Sequence, residues 1–79
     1  MIVMQKAYLL LSCEMGTEES VISALKSIDG IKAAIVTYGA YDIVAEIQTN
    51  TQREMDDVIS FKIRQLKHVR SSVTLHATD

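Results

Sequence analysis

Two β-branched runs joined through one glycine-centred turn constrain this chain more than any other feature. Ile31 to Val36 and Asp42 to Ile47 flank the stretch Thr37-Tyr38-Gly39-Ala40-Tyr41-Asp42. Gly39 stands where a hairpin needs an unhindered backbone, and a connection of about four residues is within hairpin range. Two tyrosines surround the glycine and a carboxylate follows, so the turn offers aromatic rings with hydroxyl handles, an acceptor and backbone open to a small ligand. Tyrosine in strands and Asp beside Gly are also ordinary turn chemistry. The surroundings have to decide between the two readings.

Upstream of the hairpin, Ala7-Tyr8-Leu9-Leu10-Leu11-Ser12-Cys13 is short, apolar and bounded by Glu14-Met15-Gly16-Thr17, which predicts a buried strand and a loop. Thr17 is placed to N-cap a helix that carries Glu18 and Glu19 at the positive end of its dipole. Val21, Ile22, Leu25 and Ile28 recur at helical spacing, and Gly30 is placed as the C′ glycine that stops the helix. After the hairpin, Thr51-Gln52-Arg53-Glu54 matches a capping box, in which a hydroxyl and a carboxylate satisfy backbone donors that the helix leaves orphaned. Met55, Val58, Ile59, Ile63 and Leu66 continue an apolar stripe to about Leu66 or Lys67, with Phe61 off the stripe as a candidate contact. Val69-Arg70-Ser71-Ser72-Val73-Thr74-Leu75-His76 then alternates as a half-buried strand does.

The order strand, helix, strand, strand, helix, strand predicts an α+β, ferredoxin-like βαββαβ fold: a four-stranded antiparallel sheet in order 4-1-3-2 with two helices on one face. Right-handed crossovers put the first and third strands at the centre. If the odd positions Leu9, Leu11, Ile35, Ile43, Ala45, Ile47, Val73 and Leu75 face the helices, the even set covers the other face. That set contains Tyr8, Leu10, Val36 and Val44, an apolar patch that one domain leaves exposed and that predicts a sheet-to-sheet homodimer.

Bulk properties agree. Seventy-nine residues make one domain, spanning 1–79, and so short a chain buries only about 60–65% of its unfolded surface. With 48% hydrophobic residues it holds more apolar material than one small core needs, so part is expected in an interface. Eight Lys and Arg stand against ten Asp and Glu, and the basic residues are scattered singly, which argues against nucleic-acid tracking. A single cysteine, Cys13, excludes an internal disulfide and a thiol cluster. The N-terminus lacks the pattern of a signal peptide, no apolar run approaches the ~20 residues of a membrane span, and a cytoplasmic location is expected.

Catalytic chemistry is not legible. His68 and His76 lie on different elements, and the simpler roles are a helix C-terminal dipole partner and an edge-strand surface residue. Cys13 ends a buried strand and reads as a small core hydrophobe. No metal-ligand spacing or phosphate loop is present, so no metal and no cofactor is expected. What does recur is small polar groups: Tyr38, Gly39, Tyr41 and Asp42 in the turn, with Ser71, Ser72 and Thr74 on the last strand. Hydroxyl and backbone donors suit a carboxylate and Asp suits an ammonium, the two ends of a free amino acid. The same residues can simply solvate an edge strand, and spacing alone leaves both readings open.

From Ala7-Tyr8-Leu9-Leu10-Leu11 through Gly39-Ala40-Tyr41-Asp42-Ile43-Val44 to Val69-Arg70-Ser71-Ser72-Val73-Thr74, the chain resembles a stand-alone effector domain of the Lrp/AsnC (feast/famine) transcription regulators, also called the RAM domain. The most specific piece is Thr37-Tyr38-Gly39-Ala40-Tyr41-Asp42-Ile43, similar to the family's Thr-Gly-x-Tyr-Asp hairpin with Tyr38 added. The resemblance implies dimers packed through their sheets, assembly into higher oligomers such as an octamer, and an amino acid effector. It implies a ligand site of Tyr38, Gly39, Ala40, Tyr41, Asp42, Ser71 and Ser72 between dimers. The helix-turn-helix of full-length members is absent from these residues, so no direct nucleic acid contact is expected, and regulation would run through co-assembly with full-length relatives. Lys67-His68-Val69 departs from the family, where glycine often precedes the valine.

The leading expectation is therefore a non-catalytic, amino acid-binding oligomerisation module acting indirectly in transcription regulation. The alternative is a small dimeric α/β-barrel enzyme of the monooxygenase or isomerase kind, which needs His, Asn or Trp projecting between sheet and helices. A third reading is a purely structural assembly partner.

Overall fold

A computed structural model describes residues 4–77. Its elements are β1 (Gln5–Cys13), α1 (Glu18–Lys26), β2 (Ile31–Val36), β3 (Ile43–Thr49), α2 (Gln52–Asp57), a π-helical continuation (Val58–Ile63) and β4 (Val69–His76). The strands pair antiparallel in the order β2-β3-β1-β4, the ferredoxin-like arrangement expected from the sequence. Strand alternation puts Ala7, Leu9, Leu11, Ile43, Ala45 and Ile47 on one face, where they meet Val21, Leu25, Met55 and Ile63 from the helices. Leu9, Leu11, Leu25, Ile43, Ile47 and Met55 are fully excluded from solvent. Each such side chain gains about 1.5–3 kcal/mol from burial, so this single layer carries the fold.

The two helix starts differ. Thr51 is extended, at φ −133° and ψ 159°, and its hydroxyl accepts the Glu54 N–H at 3.1 Å, as the capping-box spacing requires. Thr17 was expected to do the same, but at φ −106° and ψ 6° its hydroxyl turns away and donates to the Glu14 carbonyl at 2.6 Å. It tightens the preceding turn and leaves α1 without a side-chain cap. Gly30 also differs from expectation. The helix already ends at Lys26, and Ser27 closes it by donating through its hydroxyl to the Ala24 carbonyl at 2.7 Å. Gly30, at φ 101°, instead lets the chain swing onto the sheet, where its carbonyl accepts the Gln48 N–H at 2.8 Å.

The second helix was expected to run as one α-helix to Leu66 or Lys67. It changes winding at Val58, and Arg64 donates to the Ile59 carbonyl five residues back, at 3.3 Å. Core geometry accounts for this. Met55 and Ile63 are both buried, yet at ~100° per residue eight steps of α-helix leave them about 80° apart. The wider π turn rotates less per residue and brings both onto the sheet. Phe61 stays 60% exposed, as its position off the stripe implied.

Face assignment needs correction on two strands. Ile35 pairs with Val44, and Leu10 pairs with both Val44 and Val73, so Ile35, Val44, Leu10 and Val73 form one row across the outer face. Tyr8 and Leu75 form the next row with Glu46. Val36, expected in the outer patch, instead stands opposite the buried Ile43 on the helix side, and Ile35, Val73 and Leu75, expected inside, belong outside. The causes are a register shift between Ile31 and Ala33 and an odd-to-even pairing of β4 with β1. Ser72 and Thr74 consequently share the inner face with Leu11 and Leu9.

His68 occupies the position where the family's glycine was missed, and its φ is 72°. Replacing it by Gly is expected to raise stability by up to about 1 kcal/mol, whereas a β-branched Val should lower it by about 1–3 kcal/mol. Gly30→Ala should cost about 1–3 kcal/mol, because the new Cβ sits 3.3 Å from the Gln48 carbonyl oxygen on a left-handed backbone. Urea unfolding of the three variants measures all of these. A stabilised His68→Val protein would refute the strain argument.

Candidate functional site

The turn between β2 and β3 is held by its own backbone. Thr37 N–H donates to the Asp42 carbonyl at 2.8 Å, and the Thr37 hydroxyl donates to the Tyr41 carbonyl at 2.8 Å. The loop Tyr38–Tyr41 is thereby pinched at its base, with Gly39 at φ 142° supplying the reversal. Tyr38 stands fully in solvent at the tip, Gly39 and Ala40 are exposed, and Tyr41 is half-buried.

Asp42 joins this turn to the end of β1. Its N–H donates to the Leu11 carbonyl at 2.8 Å, while its Oδ2 accepts the Cys13 N–H at 2.9 Å. The ladder between β1 and β4 is irregular at that spot: Ser12 faces Ser71, but Cys13 faces Val69, which leaves Arg70 as an extra residue on β4. A bulge of this kind redirects the side chain beside it. The Cys13 N–H points to the other side of β1, beyond the last β1–β3 pair at Leu11 and Ile43, and the Asp42 carboxylate satisfies it there.

These groups surround a hollow of about 430 Å³ lined by Ser12, Cys13, Ala40, Asp42, Arg70 and Ser71. Its size suits a small metabolite. Of the residues singled out in the sequence, Ala40, Asp42 and Ser71 line it; Tyr38, Gly39, Tyr41 and Ser72 do not. Ser72 lies on the opposite face from Ser71, as strand alternation demands. Ser12, Cys13 and Arg70 were not recognised as site residues from the sequence. Cys13 looked like core, and it is buried in the core cluster, but it also lines the hollow.

The mouth of β4 is fastened on its other side by Glu14 and His68. Glu14 N–H donates to the His68 carbonyl at 2.9 Å, and the His68 Nδ1 lies 3.2 Å from the Glu14 carboxylate. His68 is therefore a turn residue that ties the first loop to β4, instead of the helix-end partner its position suggested. His76 is exposed on the edge strand, as expected.

A larger hollow, about 480 Å³, opens between α1 and the π-helical segment, lined mainly by Ile28, Val58, Phe61 and Leu66 with Asp29 and Lys62. The smaller one is the better candidate because a fixed carboxylate, a guanidinium and two hydroxyls converge in it. Among the described residues, no group of three or more His, Cys, Asp or Glu side chains is placed to hold a metal ion. Among them also, no helix is long and apolar enough to cross a membrane.

Comparison with known proteins gives a consistent picture. The regulatory protein AsnC of Haemophilus influenzae is 35% identical over 57 residues, which is 72% of this chain and 38% of that protein, so the chain spans well under half the length of this relative. The crystal structure of FFRP-DM1 superposes with a TM-score of 0.89 at 30% identity, covering 94% of this chain and 99% of that one. A transcriptional regulator from Neisseria meningitidis, solved as an L-Met complex, shares the fold with a TM-score of 0.84 at 8% identity, over 95% of this chain and 50% of that one. The family model of the Lrp/AsnC ligand binding domain matches residues 6–78, and with this hairpin, this bulge and this sheet order the chain belongs to that family of regulatory domains.

Proposed function

We propose that this chain is a non-catalytic amino acid-binding module whose effector occupies the hollow between the β2–β3 turn and the start of β4. One observation carries the reading: Asp42, Arg70, Ser12 and Ser71 converge on a single opening of metabolite size. A free amino acid presents both charges within a few bonds, and a site with one carboxylate and one guanidinium matches both ends. The regulator from Neisseria meningitidis that shares the fold is described as an L-Met complex, which supports the ligand class. Tyr38, Gly39 and Tyr41, on the loop that carries Ala40, and Ser72, on the opposite sheet face, remain part of the proposal as groups that a neighbouring protomer brings into use. Tyr38 in particular offers an entire ring to solvent at the loop tip.

Assembly follows from the outer sheet face. Tyr8, Leu10, Ile35, Val44, Val73 and Leu75 form an apolar surface on it, and burial against a second copy is the economical way to remove that surface from water. Tyr8 donates its hydroxyl to Glu46 at 3.3 Å, and Lys6 pairs with Glu46 at 3.7 Å, so the polar groups amid this surface are already partnered. The module is then a cytoplasmic homodimer that builds higher oligomers. A ligand bound at a boundary between dimers shifts assembly by mass action, and co-assembly with full-length relatives transmits the signal to transcription.

The barrel-enzyme alternative finds less support. The layer between sheet and helices is filled by apolar side chains, and both histidines are exposed.

Calorimetry against the twenty amino acids is expected to give saturable heat for at least one of them. Asp42→Ala should abolish that heat and lower stability by about 1–3 kcal/mol, since the Cys13 N–H loses its acceptor. A folded wild-type protein silent to all twenty would end the sensing proposal. Leu10→Lys on the outer face is expected to give a monomer by analytical ultracentrifugation, and an unchanged sedimentation coefficient would remove this face as the interface.

A further inference from the structure

Arg70 is the group in the hollow that the fold itself does not require. It is the unpaired residue of the β4 bulge, with no residue opposite it on β1. Among the described residues the ion pairs are Lys6 with Glu46 and Glu14 with His68, so the Arg70 charge is not spent on either. Asp42 shares the hollow, but its Oδ2 is already committed to the Cys13 N–H. A guanidinium placed by a bulge at the mouth of a small cavity, beside the Ser12 and Ser71 hydroxyls, is suited to two parallel hydrogen bonds with a planar carboxylate.

The walls add a second constraint. Ser12, Cys13, Ala40 and Ser71 are all short, and none presents the broad apolar surface that a branched or aromatic side chain needs. A ligand side chain entering here meets hydroxyls and short side chains. A bulky apolar group would stay wet and gain little, whereas a short polar one finds hydrogen-bond partners.

We infer that Arg70 is the carboxylate-binding residue of this site and that the site selects α-amino acids with short polar side chains over branched or aromatic ones. This rests on the amino acid reading above and narrows it. Asp42 then has two duties, fastening the end of β1 through Oδ2 and facing the ligand's ammonium group. Arg70 supplies the only positive side chain among the residues that line the hollow.

The test is calorimetry on the full chain with L-serine, L-asparagine, L-leucine, L-phenylalanine and L-serinamide. Serine or asparagine is expected to bind at least about tenfold tighter than leucine or phenylalanine, and serinamide about ten- to hundredfold weaker than serine, the weight of one charged hydrogen-bonded contact. Arg70→Met should bring serine down to the serinamide level without further weakening serinamide, and Arg70→Lys should recover part of the difference. Circular dichroism of both variants checks that the bulge still folds. Arg70→Met weakening serine and serinamide equally, or neither, overturns the assignment, because a merely structural role would not distinguish acid from amide. Tighter binding of leucine or phenylalanine overturns the selectivity while leaving the amino acid reading standing. Silence from every amino acid overturns both.

Discussion

The carboxylate of Asp42 is the contact on which the candidate site of this molecule depends. The β1–β3 ladder stops at Leu11 and Ile43, so the Cys13 N–H beyond it has no ladder partner, and a buried unpaired donor costs about as much as a lost hydrogen bond. Asp42 supplies the acceptor from a different strand, at 2.9 Å, while its own N–H closes onto the Leu11 carbonyl. Turn and central strand are thereby one unit, and the β4 bulge lies against the same end of β1. The hollow exists because that unit holds the β2–β3 loop beside β4, two segments almost thirty residues apart in sequence that the sheet order separates by the whole of β3 and β1.

The same sheet is used differently on its two sides. The inner face is packed by α1, α2 and the π-helical segment around Leu9, Leu11, Ile43 and Ile47. The outer face carries a second apolar surface, and the two faces together account for a hydrophobic fraction that one small core does not absorb. Backbone adjustment, through the π turn at Val58 and the left-handed His68, sits on the chain leading into β4. That is the strand whose bulge carries Arg70. Fold and site are thus coupled through where β4 begins.

Much of the architecture was legible because it depends on local period and punctuation. Helical spacing of Val21, Ile22 and Leu25, alternation along β3, and the Thr51 cap each act within a few residues, and each appears in the structure. The errors arose where register decides. Val73 and Leu75 are odd-numbered, so alternation alone put them on the inner face. The bulge at Arg70 breaks the parity between Val69, which packs on the core, and Val73, which lies outside. A similar shift between Ile31 and Ala33 exchanged Ile35 with Val36. Thr17 failed as a cap because capping needs an extended backbone as well as a hydroxyl.

By itself the sequence determined the element order, the inner faces of β1 and β3 and the hairpin, since these follow from side-chain chemistry acting over one or two turns of chain. Only the tertiary structure decided which residues of β2 and β4 face outward, where the second helix changes winding, and that Ser12, Cys13 and Arg70 meet the turn. A bulge shifts everything beyond it by one position, and its presence is settled by how a distant strand pairs. No local pattern holds that information, because Ser12 and Ser71 are far apart along the chain and adjacent only once the sheet has formed.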